Sequence, residues 1–267
     1  MQELLAITRE WKKQGYPGSR PVCHGLPGLR VRLIRLVVAE LKVRRKKDFE
    51  KIRKNIRVRV VVHDPGTVSV MDGATIKKGE DIIVYRDRGS LSTKNEQCAG
   101  AVKASDTLRV LDKLKEQERL PLVLCTDNGS PFCAEKVADF LIENQVVHLK
   151  SLPRVPEHNG SAENAVNEIK KLVREGIEPE AACSILNQHR LRMTLNYKTS
   201  DEVDQERLKL CSQEERARFF EATRAAITAA LVGTQSALEK RKAERQAIYQ
   251  TMESFSLITI NRGHRPA

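Results

Sequence analysis

The spacing of apolar residues along the chain changes twice. In the first 60 residues, Val31, Ile34, Val37, Val38 and Leu41 recur at helical intervals, with Arg30, Arg32, Arg35 and Lys42 interleaved. Residues 15–28 carry Gly15, Pro17, Gly18, Pro21, Gly25, Pro27 and Gly28, which break helix ahead of that segment. From residue 60 the period becomes that of strands, with short apolar or alternating runs at 60–62, 67–71, 82–85 and 98–102 separated by turn residues. A helix follows, with Ser105 able to cap it and Leu108, Leu111 and Leu114 on one face. The run 121–125 suits a buried strand, 134–144 a helix burying Val137, Phe140 and Leu141, and 146–149 another strand. A loop rich in Pro153, Pro156 and Gly160 then leads into a long helix over 161–174.

The strand runs, then helix, strand, helix, strand, helix predict an α/β fold with a mixed sheet flanked by helices. Beyond Gly176 the pattern is helical almost to the end, and 217–250 keeps no heptad long enough to define a coiled coil. The expected organisation is a basic helical arm over 1–60, an α/β core over 61–180 and a helical region over 181–267.

Composition changes the picture mainly through charge. The 40% hydrophobic and 31% charged content describes a chain that folds around a core. Its formal net charge of +12 resides in residues 1–60, where 17 Lys and Arg face 5 Asp and Glu; the remaining residues hold 30 of each sign. A basic arm on a neutral body points to a polyanionic partner, because each neutralised phosphate releases condensed counterions. Arg44, Arg45, Lys46 and Lys47 are its densest cluster. The first 15 residues lack the apolar core of a signal peptide, and no segment approaches the roughly 18 apolar residues of a membrane span. No membrane partner and a cytoplasmic location are expected. Cys23, Cys98, Cys125, Cys133, Cys183 and Cys211 form no Cys-x-x-Cys pair, so reduced thiols are expected.

Three acids stand where this topology would gather them. Asp72 closes the first strand of a hairpin, Asp127 follows the buried strand, and Glu163 opens the long helix. Strand ends and helix starts meet at such a crevice. Carboxylates fixed on separate elements suit two hard divalent ions, Mg²⁺ or Mn²⁺, which stabilise the attacking and leaving oxygens of a phosphoryl transfer. On the helix, Glu163, Asn167 and Lys170 fall within about 60° of one another, beside an apolar stripe of Ala162, Val166, Ile169 and Val173. That leaves Lys170 placed to touch DNA.

Thr126-Asp127-Asn128-Gly129-Ser130, followed by Pro156-Glu157-His158-Asn159-Gly160-Ser161-Ala162-Glu163, closely resembles the integrase catalytic core of bacterial insertion-sequence transposases, a core shared with retroviral integrases. The resemblance implies a ribonuclease-H-like fold with 35 residues between the second Asp and the Glu, as between Asp127 and Glu163, and a basic residue seven after the Glu, matched by Lys170. Asp72 takes the first acid's role by position; Asp64 and Asp87 compete for it. Where the family often has Trp three residues before that Asp and Thr two after, this chain has Ser69 and Ala74. Asn187-Gln188-His189-Arg190 and Leu195-Asn196-Tyr197-Lys198-Thr199 resemble the family's closing pattern, with Ser200 replacing the usual Pro, so the resemblance covers about residues 65–203.

The implied function is cleavage of DNA at element ends and joining of the 3′-hydroxyl to target DNA. Asp72, Asp127 and Glu163 would be the catalytic and metal-binding residues. Asn128, His158, Asn159, Asn167, Lys170 and the Arg44–Lys47 cluster would contact DNA. The expected partners are element-end and target DNA and further copies of the chain, with the protein nucleoid-associated when bound. A non-catalytic or domesticated DNA-end-binding protein and a hydrolysis-only nuclease of the same fold remain alternatives.

Overall fold

The computed structural model describes residues 2–14, 19–55, 58–77, 79–152, 160–207 and 211–262. Two compact units divide them, residues 1–59 with 261–267, and residues 60–260. The first holds α1 (Gln2–Lys13), α2 (Ser19–Gly25) and α3 (Val31–Asn55). Ile7, Trp11, Val22, Ile34 and Val38 form its small core. Ile34, Val38 and the half-buried Val37 and Leu41 are the helical repeat read from the sequence, and the intervening Arg32, Arg35 and Lys42 are exposed.

The second unit is built on a five-stranded sheet ordered β4-β3-β2-β5-β6. Its strands are β2 (Val68–Lys77), β3 (Glu80–Asp87), β4 (Thr93–Cys98), β5 (Val123–Thr126) and β6 (Val147–Lys150). The first three are antiparallel neighbours, and β5 and β6 join parallel to β2. β1 (Val58–Val62) pairs instead with β7 (Ile258–Arg262) in a two-stranded sheet.

Alternation along the strands gives the sheet two apolar faces. Met71, Ile83, Tyr85 and Leu124 pack with α4 (Ala104–Glu116), the short α5 (Ser130–Cys133) and α6 (Glu135–Glu143). On the opposite face, Ile82 and Val84 pack with α7 (Gly160–Arg174) and α8 (Pro179–Gln188). Val68, Val70, Cys125 and Leu149 on that face meet α10 (Gln213–Leu231) and α11 (Ala237–Ser254) through Phe219, Phe220, Ile248 and Met252. The fold is α/β, a mixed five-stranded sheet between helical layers. The helical C-terminal region thus shares the core of the sheet, linked to α8 by α9 (Ser200–Arg207).

Two local expectations are corrected, and a third segment is resolved in detail. The fourth strand runs over Thr93–Cys98, ahead of the expected 98–102, because it is an edge strand, Thr-Lys-Asn-Glu-Gln-Cys, whose polar outer side hides the apolar pattern. The helix after it begins at Ala104, where the Asp106 carboxylate accepts the Lys103 N–H at 3.0 Å, and Ser105 is not its cap. The segment 217–250 is an antiparallel helical pair, interrupted at Gly233 with its left-handed φ of 83° and restarted by Ser236, whose hydroxyl accepts the Glu239 N–H.

Two buried charge arrangements tie the elements together. Asp87, at the end of β3, accepts the N–H groups of Gly66, Gly89 and Ser90, each at 2.8 Å, and the Ser90 hydroxyl at 3.1 Å. Burial raises its pKa against these lowering hydrogen bonds. Glu168 on α7 receives Arg86 from β3 and Arg192 from the chain after α8, with Arg192 Nη1 at 2.6 Å. Arg86 and Arg192 are 3% and 8% exposed, so removing Glu168 would strand two buried cations, a loss of about 3–5 kcal/mol.

Candidate active site

The parallel register sets the site. Val68 pairs with Val123 and Met71 with Thr126, so Asp72 and Asp127 are the next residues on two strands about 4.8 Å apart. Val70 and Cys125 face α7 and the C-terminal helices, and the alternation carries Asp72 and Asp127, two residues further on, to that same face. Both are half-buried. Asp72 does not close its strand, as the sequence suggested. β2 runs on to Lys77 because Ala74 and Ile76 continue the apolar alternation against α7, and what ends beside Asp72 is β5.

Asp87 pairs with Ser69, three positions back along β2, and so lies toward the other end of the sheet with its carboxylate filled by main-chain donors. Asp64 precedes β2 and lies beyond that same end. Neither competitor stands beside Asp127.

Asp127 is held by its own turn: Oδ1 accepts the Gly129 N–H at 2.8 Å. A Cβ on Gly129 would lie 2.9 Å from that oxygen, so any larger residue there displaces the carboxylate. Asn128, expected to face DNA, donates Nδ2 to the Ser151 carbonyl at 2.7 Å and ties this turn to the chain leaving β6. Behind the strand end, the buried Thr126 hydroxyl donates to the Asp127 carbonyl at 2.8 Å and lies 2.8 Å from His148 Nε2. With the hydroxyl hydrogen so used, Nε2–H of a neutral His148 completes the chain. Desolvation, with Lys150 nearby, lowers the His148 pKa to about 4. Gly129 and His148 were missed as supporting residues because a turn glycine and a lone strand histidine carry no signal until a neighbour is known.

On α7, Ala162, Ala165, Val166, Ile169 and Val173 are buried, which leaves Glu163 and Asn167 exposed and Lys170 half-buried on the other side. From Glu163 to Lys170 the polar stripe extends about 10 Å along the axis. Lys170 makes no ion pair among the described residues. His158 and Asn159 lie outside the described residues. In the arm, Arg44 is exposed and ion-paired with Glu40 at 2.8 Å, and the side chains of Lys46 and Lys47 are outside the described set.

Asp72 and Asp127 supply adjacent hard oxygen donors of the kind Mg²⁺ or Mn²⁺ selects, and Glu163 offers a third from the first turn of α7. Among the described residues, however, no three His, Cys, Asp or Glu side chains are gathered closely enough to hold an ion. The three carboxylates fit a divalent metal by their donor chemistry alone. A cavity of about 420 Å³ opens elsewhere, between Tyr85, Asp87, Arg119, Asp204 and Arg216. Two of its cations are engaged internally: Arg119 pairs with Asp204 at 2.7 Å, and Arg216 donates to the Leu120 and Pro121 carbonyls. No helix among the described residues is long and apolar enough to cross a membrane.

No protein-family model and no curated protein matches the chain. Among solved structures, it is similar to the catalytic core domain of BIV integrase, at 21% identity over 53% of this chain and 95% of that one, with a TM-score of 0.44. The HTLV-2 integrase catalytic core domain in complex with magnesium matches at 18% identity over 52% and 96%, with a TM-score of 0.43. A chain of the simian T-cell lymphotropic virus intasome in complex with PP2A regulatory subunit B56 gamma matches at 16% over 78% and 76%, with a TM-score of 0.49.

Two outcomes are expected from this geometry. Gly129→Ala should leave the thermal midpoint within about 4 °C of wild type, since the clash is with a side chain, while moving Asp127 and lowering any metal-dependent activity at least 10-fold, about 1.4 kcal/mol. Unchanged activity would show that the Asp127 position is not critical. The depressed His148 pKa gives a sign for acid stability. The unfolded state takes up the proton near the ordinary pKa of 6.5 and the folded state only near 4, so the stability His148 contributes is full above 6.5 and is lost as pH falls toward 4. The loss is on the order of 3 kcal/mol, and urea titrations of His148→Gln between pH 7 and 4 should show a correspondingly flatter profile than wild type.

Proposed function

We propose that this protein is a DNA polynucleotidyl transferase of the transposase and integrase type, which cleaves at the ends of a mobile element and joins the freed 3′-hydroxyl to target DNA. The observation that carries this reading is the parallel register that sets Asp72, within β2, next to Asp127, at the end of β5, on the sheet face covered by the helix that Glu163 opens. The Asp127 to Glu163 motif supports it independently of that geometry.

In this reading Asp72, Asp127 and Glu163 hold two Mg²⁺ or Mn²⁺ ions, which when bound supply the charge that stabilises attacking and leaving oxygens. The chain's own residues bind and orient the DNA. Lys170 and Asn167 meet phosphates along α7, Asn128 fixes the turn that carries Asp127, and His158 and Asn159 approach the DNA from the sequence ahead of α7. Water oxygen forms the first new P–O bond as the 3′-oxygen departs and takes up a proton; that 3′-hydroxyl then loses its proton and bonds to the phosphorus of a target phosphodiester as the target's own bridging 3′-oxygen leaves as a hydroxyl, with no covalent protein intermediate. The basic first unit, with Arg44, Arg45, Lys46 and Lys47, adds sequence-independent affinity, and copies of the chain assemble on the DNA in the bacterial nucleoid.

A second reading, DNA-end binding without cleavage, is favoured by one observation, the absence of a gathered three-carboxylate group among the described residues. Nicking of duplex DNA carrying the sequences that flank the gene, assayed with the full chain in Mg²⁺ or Mn²⁺, separates the two. Asp127→Asn, Glu163→Gln and Asp72→Asn should each reduce nicking by at least about 100-fold with unchanged circular dichroism, and Ca²⁺ should support binding with little chemistry. Nicking by Asp127→Asn at the wild-type rate would overturn the catalytic reading, and wild-type binding with no cleavage in either metal would establish the second. Truncation to residue 60 should flatten the slope of log affinity against log salt, by about 0.9 for each duplex phosphate that the shortened chain no longer neutralises. Equal slopes for the truncated and full chains would move the DNA-binding surface out of the first unit.

A further inference from the structure

The 191–197 turn exposes three large apolar side chains that a folded chain would ordinarily cover: Leu191 is 62%, Met193 76% and Tyr197 65% exposed. This turn is held from several sides. Leu195 is buried beneath it, the Arg192 N–H donates to the Lys198 carbonyl at 3.1 Å, and the Tyr197 N–H returns to the Arg192 carbonyl at 2.9 Å. Asn196 and Tyr197 are consecutive left-handed residues, with φ of 56° and 61°, a conformation non-glycine residues adopt at an energetic cost. A rigid, strained turn that offers an aromatic ring and a methionine to solvent is shaped for a partner.

Electrostatics identify the partner's chemistry. From Gln188 to Lys198 there is no acid, while Arg190, Arg192 and Lys198 are cationic. Beneath the turn, among the described residues, Glu168 is the one carboxylate serving Arg86, Arg190 and Arg192, so that cluster keeps two positive charges in excess. Lys198 is engaged by Glu206, but Arg190 reaches Glu168 only at 3.5 Å and remains half exposed. Arg192 also fixes the turn to α7 through Glu168, five residues and about 7.5 Å of helix from Glu163. An exposed ring and an exposed guanidinium in one acid-free segment, above a cluster with an excess of positive charge, match an unpaired nucleobase with its phosphate.

We propose that this turn holds unpaired DNA near the reacting phosphate, with Tyr197 stacking on a base, Met193 and Leu191 against the neighbouring base step, and Arg190 on the phosphate. This rests on the polynucleotidyl transferase reading for the presence of DNA. Fluorescence anisotropy of the full chain with a short single-stranded oligonucleotide, and with the paired duplex of the same sequence, tests it. Tyr197→Ala should weaken single-strand binding by about 5- to 100-fold and Tyr197→Phe by less than about 2-fold, because stacking needs the ring and not the hydroxyl. Duplex binding should change by less than about 2-fold in both, since paired bases are not open to stacking. Unchanged single-strand affinity in Tyr197→Ala would overturn the proposal, as would equal losses on single strand and duplex. A change in sedimentation of Tyr197→Ala with DNA affinity intact would assign the turn to association between copies instead. If the wild-type chain bound neither DNA, the transferase reading itself would fall, which is a different result from failure of the turn alone.

Discussion

The parallel pairing of β2 with β5 is the constraint on which the rest of the second unit depends. Four consecutive residue pairs, from Val68 with Val123 to Met71 with Thr126, put the longest strand beside the most completely buried one. β3 and β4 extend the sheet on one side by antiparallel pairing, and β6 extends it on the other. A slip of one residue in this register would turn Val68, Val70 and Asp72 to the opposite face, with the acid against Ile83 and Leu124 and Met71 lost from that core. Core packing and the position of the carboxylates are therefore fixed by the same hydrogen-bond ladder.

Carboxylates in this unit divide by how fully they are satisfied. Asp87 is surrounded by main-chain donors and Glu168 by guanidinium groups, and both hold elements in place. A buried acid with that many donors has no capacity left for an added ligand. Asp127 accepts one main-chain N–H from its own turn, and Glu163 stands exposed at the start of α7. Asp87 and Glu168, not Asp127 and Glu163, are the carboxylates that hold elements together, so charge placement and fold stability do not compete for the same side chains.

Packing of α7 on the sheet links the two groups. Ala162 and Ala165 allow close approach, Ile169 and Val173 fill the space against Ile82 and Val84, and Glu168 locks the helix to β3 and to the turn after α8. Each fully buried aliphatic side chain there contributes roughly 1.5–3 kcal/mol. The orientation of Glu163, Asn167 and Lys170 follows from that apolar packing. The helical pair α10 and α11 completes the same core over β5 and β6, with Arg245 reaching the Lys150 carbonyl at 3.2 Å.

Sequence alone determined what local periodicity encodes. The order of strands and helices, the buried face of α7, the apolar repeat of α3 and the candidate acids Asp127 and Glu163 with their spacing could all be read there, since each depends on residues close in the chain. Position along the chain suggested Asp72 but left Asp64 and Asp87 open. Only the register of β2 against β5 set Asp72 beside Asp127, because strand pairing joins residues more than fifty positions apart. Tertiary structure likewise decided that polar Thr93–Cys98 is an edge strand and that α10 and α11 belong to the core of the sheet. It also turned the Asn128 amide inward to Ser151. In each case the deciding partner is distant in sequence, and the residue itself, a polar strand side chain, an alanine-rich helix or a turn asparagine, has a local pattern compatible with more than one environment.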